Sequence, residues 1–316
     1  MSMIGIDQRS VDRVSRILVK RNIEFRELNV FDEKYYPGRN VDEENVIRYF
    51  FVMVAMDHRL SRPGKPYEAC LDDGCYHGAD LLYRLGKKMF DENPEFFSPK
   101  NLAKISVDQV KFWLSVEEVG PPDPTTRAYL LRDLGLKILK LYGGETRRIV
   151  VESNNRLKGT IEKPGLVDHL KVFKAYEDPV EKKALLLAKF LIKRGIFKPV
   201  DQLDMPIDNH LTRIALRLGL VMVSGELWDK IRKGVEVSVE EDVLIRLFVR
   251  RAYRSLAIRS RVKPDILDDH FWLMGREICL RDKPLCDKCL FKQVCLAKNN
   301  PAFMVNEHIL YNTWYY

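Results

Sequence analysis

Four cysteines, Cys279, Cys286, Cys289 and Cys295, fall within 17 residues near the end of a 316-residue chain, spaced C-x6-C-x2-C-x5-C. Thiolates crowded this closely need either a covalent bond or a cation, so the segment has to fold around whatever satisfies all four. Disulfides belong to oxidising compartments, and the opening residues Met1-Ser2-Met3-Ile4-Gly5-Ile6-Asp7 carry no apolar export signal. Metal ligation is therefore the expectation. Structural zinc sites usually join two short C-x2–4-C knuckles, and this segment has one. Loops of six and five residues can instead wrap a larger cubane, which places a [4Fe–4S] cluster ahead of zinc. The first of these loops, Leu280-Arg281-Asp282-Lys283-Pro284-Leu285, holds two cations, and Arg281 and Lys283 are candidate contacts to a DNA phosphate.

The length favours two domains. Hydrophobic residues at 46% and charged residues at 31% suit a soluble globular chain with a substantial core. No apolar run reaches the roughly 18 residues of a membrane span, so an intracellular, cytoplasmic monomer is expected. The net charge of +8 leans toward a polyanionic partner such as DNA and a nucleoid-associated location.

The periodicities are helical nearly throughout. Val11, Val14, Ile17 and Leu18 recur at helix spacing, Val46 to Met56 is apolar, and Val239 to Ile258 forms a long amphipathic run. Ser98 and Ser106 read as caps, and Thr125 or Thr126 starts a helix that stops at Gly143-Gly144. No convincing alternating strands occur, so the fold class is mainly α. The longest irregular stretch, 57–77, holds His58, Tyr67, Tyr76 and His77, residue types that stack on or bond to a base. Tyr76 and His77 are taken as candidate substrate contacts. Cys70 and Cys75 in the same stretch read as small buried hydrophobes rather than ligands.

Two segments resemble a known family. His270-Phe271-Trp272-Leu273-Met274-Gly275-Arg276-Glu277-Ile278-Cys279, running on to Cys295, is similar to the iron–sulfur segment of endonuclease III and adenine glycosylase relatives in the helix-hairpin-helix, Gly/Pro-rich, Asp (HhH-GPD) superfamily. Upstream, Pro206-Ile207-Asp208-Asn209-His210-Leu211-Thr212-Arg213-Ile214-Ala215-Leu216-Arg217 resembles that superfamily's aspartate helix. The resemblance covers roughly 45 residues. It implies two helical domains, 1–45 plus 201–300 and 46–200, with a tail at 301–316 and an active cleft between the domains. It also implies DNA N-glycosylase activity in base excision repair, in which a damaged or modified base is flipped out of a duplex.

Cleaving an N-glycosidic bond builds positive charge on the sugar, and a carboxylate beside C1′ can stabilise it. Asp208, following Pro206 at a helix start, fits that role, with His210 two residues on as a substrate contact; Asp204 is a competitor. Members of the superfamily that are also abasic-site lyases use a lysine at a helix start to attack C1′. In Glu181-Lys182-Lys183-Ala184-Leu185 the family register points to Lys182, whereas helical phase sets Lys183 beside Leu187 and Leu191; both stay open.

The chain departs from the family where the hairpin should read Leu-Pro-Gly-x-Gly, having Ala175-Tyr176-Glu177-Asp178-Pro179-Val180 instead. An archaeal 8-oxoguanine glycosylase branch also has a modified hairpin. Two alternatives follow. Tyr76-His77-Gly78-Ala79-Asp80-Leu81-Leu82 through Ile105-Ser106-Val107-Asp108 resembles queuosine-salvage glycosylases, which implies a nucleosidase releasing a modified base from a nucleotide or RNA. The other is a non-catalytic DNA-binding protein that keeps the cluster as a staple.

Overall fold

The computed structural model describes residues 3–20 and 23–316. In chain order the elements begin with β1 (Ile4–Ile6), α1 (Gln8–Leu18), α2 (Glu43–Met56), β2 (Glu68–Leu71), β3 (Gly74–His77), α3 (Ala79–Glu92), α4 (Pro99–Leu102) and α5 (Val107–Leu114). Then come α6 (Pro124–Leu141), α7 (Arg147–Glu152), α8 (Leu166–Leu170), α9 (Lys182–Lys193), α10 (Asn209–Leu218) and β4 (Val221–Val223). The last are α11 (Glu226–Lys233), α12 (Val239–Ser260), α13 (Pro264–Glu277) and α14 (Leu296–Asn299). The fold is mainly α. Among the described residues no helix is long and apolar enough to cross a membrane.

The chain forms two compact units, Met1–Leu28 with Leu203–Asn312, and Asn29–Gln202 with Thr313–Tyr316. Residues 29–45 thus fall in the second unit, as does the end of the tail, while 301–312 fall in the first.

In the first unit β1 pairs antiparallel with β4, Ile4 opposite Val223 and Ile6 opposite Val221. Asp7 caps α1 by accepting from the Arg9 amide at 3.0 Å. Helix α1 lies along α12, while α10 packs on α12 and α13. Val11, Val14, Ile214, Ile245, Val249 and Phe271 fill the space between them. The α10–α13 approach requires Gly275, because a Cβ there would stand 2.8 Å from His210 Cβ. Beyond α13 the chain is fastened by Phe291, whose ring stacks on Phe271 with centroids 5.5 Å apart.

The second unit is built around α2, in which every residue from Tyr49 to Met56 is buried. Phe50 stacks on Phe190 of α9 at 4.9 Å, and Phe51 stacks on Tyr176 at 5.3 Å. Fully burying each such ring contributes about 1.5–3 kcal/mol. Ser98 caps α4 and Ser106 caps α5 in a capping box. The helix expected to start at Thr125 or Thr126 is α6, which begins one turn-position earlier with Pro124 at its first residue and Asp123 before it. Gly135 lets α6 press on α4, since a Cβ would come 2.4 Å from the Ala103 nitrogen.

Two expectations about 57–77 need correction. The stretch contains a hairpin, β2 antiparallel to β3, with Leu71 opposite Gly74 across a turn at Asp72-Asp73. Cys70 and Cys75 face each other in it as a disulfide and are exposed rather than buried. Opposed positions bring the two Cα atoms to 3.9 Å, and both cysteines lie on exposed positions of their strands while Tyr76 turns inward.

Within the first unit a buried charge network holds Glu307 and His308 to α10 and α12. Asp242, in the first turn of α12, accepts from Arg246 Nη2 at 2.8 Å and pairs with His308 Nε2 at 2.6 Å, all three side chains being within 1% of full burial. Burial raises the Asp242 carboxyl, but His308 and Arg246 outweigh it and hold the group well below the usual carboxylate range. Glu307, facing Arg213, is likewise held down to about 2. Carboxylates depressed in the folded state contribute stability that is complete above about pH 4.5 and lost as the pH falls toward 2. Asp242→Asn, which removes the carboxylate facing Arg246 and His308 in the buried network, is expected to cost about 3–5 kcal/mol in urea denaturation at neutral pH. Glu226→Gln at an exposed pair should change stability by less than about 0.5 kcal/mol, and an Asp242→Asn protein as stable as wild type would contradict the network's role.

Candidate functional site

In the first unit Asp208 is the N-cap of α10. Its Oδ1 accepts from the Leu211 amide at 2.9 Å, and the residue is 8% exposed. Among the described residues no hydrogen bond engages Oδ2, and that atom is not sealed in the interior. One oxygen therefore holds the helix start while the other can face a ligand. Asp204 is already occupied, since Arg254 grips it with Nε and Nη2, both at 2.7 Å.

Helix α10 carries its polar residues inward at Asp208, His210, Arg213 and Arg217. Arg213, fully buried, donates to the Cys279 carbonyl at 3.0 Å, to Glu307 at 2.7 Å and to the Gly275 carbonyl at 2.8 Å. Its Nη2 also lies 2.9 Å from His210 Nδ1. Arginine can only donate, so Nδ1 accepts and the ring proton sits on Nε2. Burial, together with Arg213, lowers the His210 pKa against the opposing charge of Asp208, which leaves the ring neutral at pH 7. His210 is thus a fixed Nε2–H donor two residues from Asp208, half-buried and edge-on to Trp272.

Arg217, one helical turn further on, holds the cysteine segment. It donates to Cys279 Sγ at 3.4 Å and to the carbonyls of Leu280, Arg281 and Val305, each at 2.7 Å. Cys279 follows α13 directly, and Cys286, Cys289 and Cys295 are set by short turns around Phe291. All four cysteines line a single cavity, with Ile214, Leu218, Met274 and Ile278 as apolar walls. Among the described residues no three His, Cys, Asp or Glu side chains form a ligand set for one ion. Burial and the neighbouring sulfurs push the Cys289 thiol up to about 11, and burial raises Cys295 as well. Arg281 and Lys283 sit exposed on the loop between the first two cysteines, and Arg281 Nη1 is 3.8 Å from Glu307.

In the second unit the two candidate lysines open α9 and are both buried. Helix α2 ends at Met56, leaving its last carbonyls without intrahelical donors. Three cationic side chains supply them. Lys183 Nζ donates to the Ala55 carbonyl at 2.6 Å, and Arg127 donates to those of Met56 and His58 at 2.6 Å. Lys182 Nζ donates to the Asp57 carbonyl at 3.1 Å and lies 3.2 Å from Asp57 Oδ2. Lys183 also meets His58 Nδ1 at 2.9 Å, and burial drives both of these groups toward their neutral forms. With no exposed surface, Lys183 cannot reach a substrate in this conformation.

The turn before α9 differs physically from a glycine hairpin. Asp178 accepts from the Val180 amide at 3.0 Å and from the Lys182 amide at 2.9 Å. Glu181 adopts a left-handed backbone at φ 62°, and its buried carboxylate is gripped by Lys158 at 2.7 Å and Lys171 at 2.9 Å. The Val180 and Lys182 amides are thus taken by Asp178, and the Glu181 carboxylate by two lysines.

The remaining candidates separate. Tyr76 is 5% exposed, with Lys34 over its ring at 4.7 Å and Tyr35 edge-on at 6.2 Å, so its face is covered. Its neighbour His77 is exposed on β3. Tyr67 is buried with its hydroxyl on the Leu114 carbonyl at 2.8 Å. Sequence reasoning missed Glu307, for which no local signal exists, and Asp57, whose signal is only its position at the end of an apolar helix.

No protein-family model and no curated protein sequence matches the chain. Solved structures do match it. A trapped covalent intermediate of endonuclease III with DNA is 13% identical over 93% of this chain and 96% of its own, with a TM-score of 0.44. A non-covalent endonuclease III–DNA complex is 12% identical over 94% and 99%, with a TM-score of 0.45. A thermostable thymine-DNA glycosylase is 13% identical over 92% and 94%, with a TM-score of 0.41.

Proposed function

We propose that this protein is a DNA N-glycosylase that removes a damaged or modified base. The observation that carries the reading is Asp208, a buried N-cap with one oxygen holding the helix and the other unengaged among the described residues. As the bond to the base breaks, its electrons leave with the base and C1′ becomes cationic. A carboxylate fixed beside C1′ stabilises that charge without reorganising, because the α10 backbone already orients it. His210 Nε2–H, held by Arg213, is a neutral donor for the departing base or the sugar. The net charge of +8 and the exposed Arg281 and Lys283 suit a phosphate backbone. The protein acts as a monomer on a duplex carrying one modified base.

The donor set fits a [4Fe–4S] cluster held by Cys279, Cys286, Cys289 and Cys295. Four thiols around one apolar-walled cavity, with an Arg217 N–H on a sulfur, suit thiolate ligation of a cluster, and the C-x6-C-x2-C-x5-C spacing favours a cubane. Held by these four thiolates, such a cluster would cross-link the segment structurally. For the lyase step Lys182 is the better candidate, since Lys183 is wholly enclosed.

A second reading has its own support. The sealed turn at Asp178 and Glu181 gives a duplex phosphate no free amides there, which favours a smaller substrate, a modified base in a nucleotide or RNA.

Asp208→Asn keeps the cap, since Asn caps a helix as well as Asp. Folding should survive while single-turnover base release falls at least about a hundredfold, on the order of 3 kcal/mol. The assay should use both duplexes with single modified bases and free modified nucleotides, which also separates the two readings. Near-normal release by the folded variant on its best substrate would remove Asp208 from the chemistry. Protein purified without oxygen should be brown and carry about four irons per chain; stoichiometric zinc without iron would defeat the cluster assignment.

A further inference from the structure

Of the three cations at the end of α2, two are consumed. Lys183 and Arg127 are fully enclosed and bonded to carbonyls. Lys182 differs in having a carboxylate partner, Asp57 Oδ2 at 3.2 Å, and in keeping an opening: the two side chains are 7% and 17% exposed. A hydrogen-bonded amine–carboxylate pair at the edge of a buried cluster is a means of moving a proton, not only of capping a helix. Behind the pair lies Tyr83, 5% exposed, whose hydroxyl has no hydrogen-bond partner among the described residues and on which Asp57 exerts the strongest charge. A buried orphan hydroxyl is a polar group that a bound ligand would satisfy.

We propose that Asp57 is a positioning residue for Lys182, holding its ammonium group and accepting its proton so that a neutral amine faces an aldehyde carbon at C1′. The inference rests on the N-glycosylase reading, since the aldehyde is the sugar left after base release. The proton on Lys182 Nζ passes to Asp57 Oδ2, and the nitrogen lone pair bonds to C1′ while the carbonyl electrons move to oxygen. A proton shifts from nitrogen to that oxygen. Asp57 then returns its proton to the hydroxyl, which leaves as water, and a protonated imine remains. The groups that face the pair are His58 from the end of α2, Tyr83 from α3, Arg127 from α6, Asp178 from the turn and Lys183 from α9. None of these offers an unengaged carboxylate, because Asp178 is occupied by the Val180 and Lys182 amides.

The test is borohydride trapping with the full chain. The probes are an oligonucleotide bearing one abasic site and 2-deoxyribose 5-phosphate. The reduced adduct is mapped by peptide mass spectrometry, and trapping rates are measured across pH. The expected result is an adduct on Lys182, with Asp57→Asn slowing trapping at least about tenfold near neutrality. That deficit should close in alkaline solution, where hydroxide removes the proton instead. A merely structural Asp57 would shift stability without this pH-dependent recovery. An adduct on another residue, no adduct, or equal wild-type and Asp57→Asn rates at every pH would overturn the proposal. Wild-type protein that releases base yet forms no adduct overturns this inference alone, whereas absence of base release overturns the reading beneath it. Mapping the wild-type adduct decides the lysine even where Lys182→Met fails to fold.

Discussion

Arg213 and Arg217 reach out of one face of α10 and take up backbone carbonyls that no helix or strand satisfies. Cys279, Leu280, Arg281 and Val305 all donate nothing back; they accept from these two guanidinium groups. Removing Arg213 would leave the buried Gly275 carbonyl without that donor, and removing Arg217 the buried Val305 carbonyl, at about 1–3 kcal/mol each. The same helix begins at Asp208. The residue that fits the chemistry and the segment that fits a cluster are thus two ends of one rigid element. Arg213 links them most directly, since the same guanidinium touches His210 and the Cys279 carbonyl. A cluster bound there would stiffen the register of α10 without approaching any reacting atom.

In the second unit, charge is used against a helix end. Lys182, Lys183 and Arg127 meet the carbonyls that close α2, where the helix dipole is negative. Placing three cations so close costs desolvation, and the response differs for each. Lys183 and His58 shift toward neutrality, Arg127 is lowered to about 10, and Lys182 has Asp57. That difference among chemically similar residues is what sets Lys182 apart.

Much of the helical fold was legible from spacing. The runs around Val46–Met56 and Val239–Ile258 became α2 and α12, because burial on one side or all round leaves apolar periodicity in the chain. Helical phase pointed to Lys183 and the family register to Lys182, and phase carries little weight here because α9 is buried on every side through Leu191. The β2–β3 hairpin was missed because its strands have four residues each and largely exposed sides, so no alternation marks them; only Asp73-Gly74 hinted at the turn. The Asp-x-His-x-x-Arg-x-x-x-Arg spacing singled out Asp208, His210, Arg213 and Arg217 but not what the arginines hold. Their partners lie 62 to 94 residues away in the chain. Glu307 and His308 sit in what read as a tail, and only folding reveals them as buried partners of Arg213 and Asp242.

Hydrogen–deuterium exchange on Arg217→Met tests most directly whether α10 couples the cysteine segment to Asp208. The account predicts faster exchange in the 279–289 segment and also at the first turn of α10, including the Leu211 amide that Asp208 caps, by at least about tenfold. Faster exchange confined to 279–289, with α10 protected as in the wild type, would contradict it.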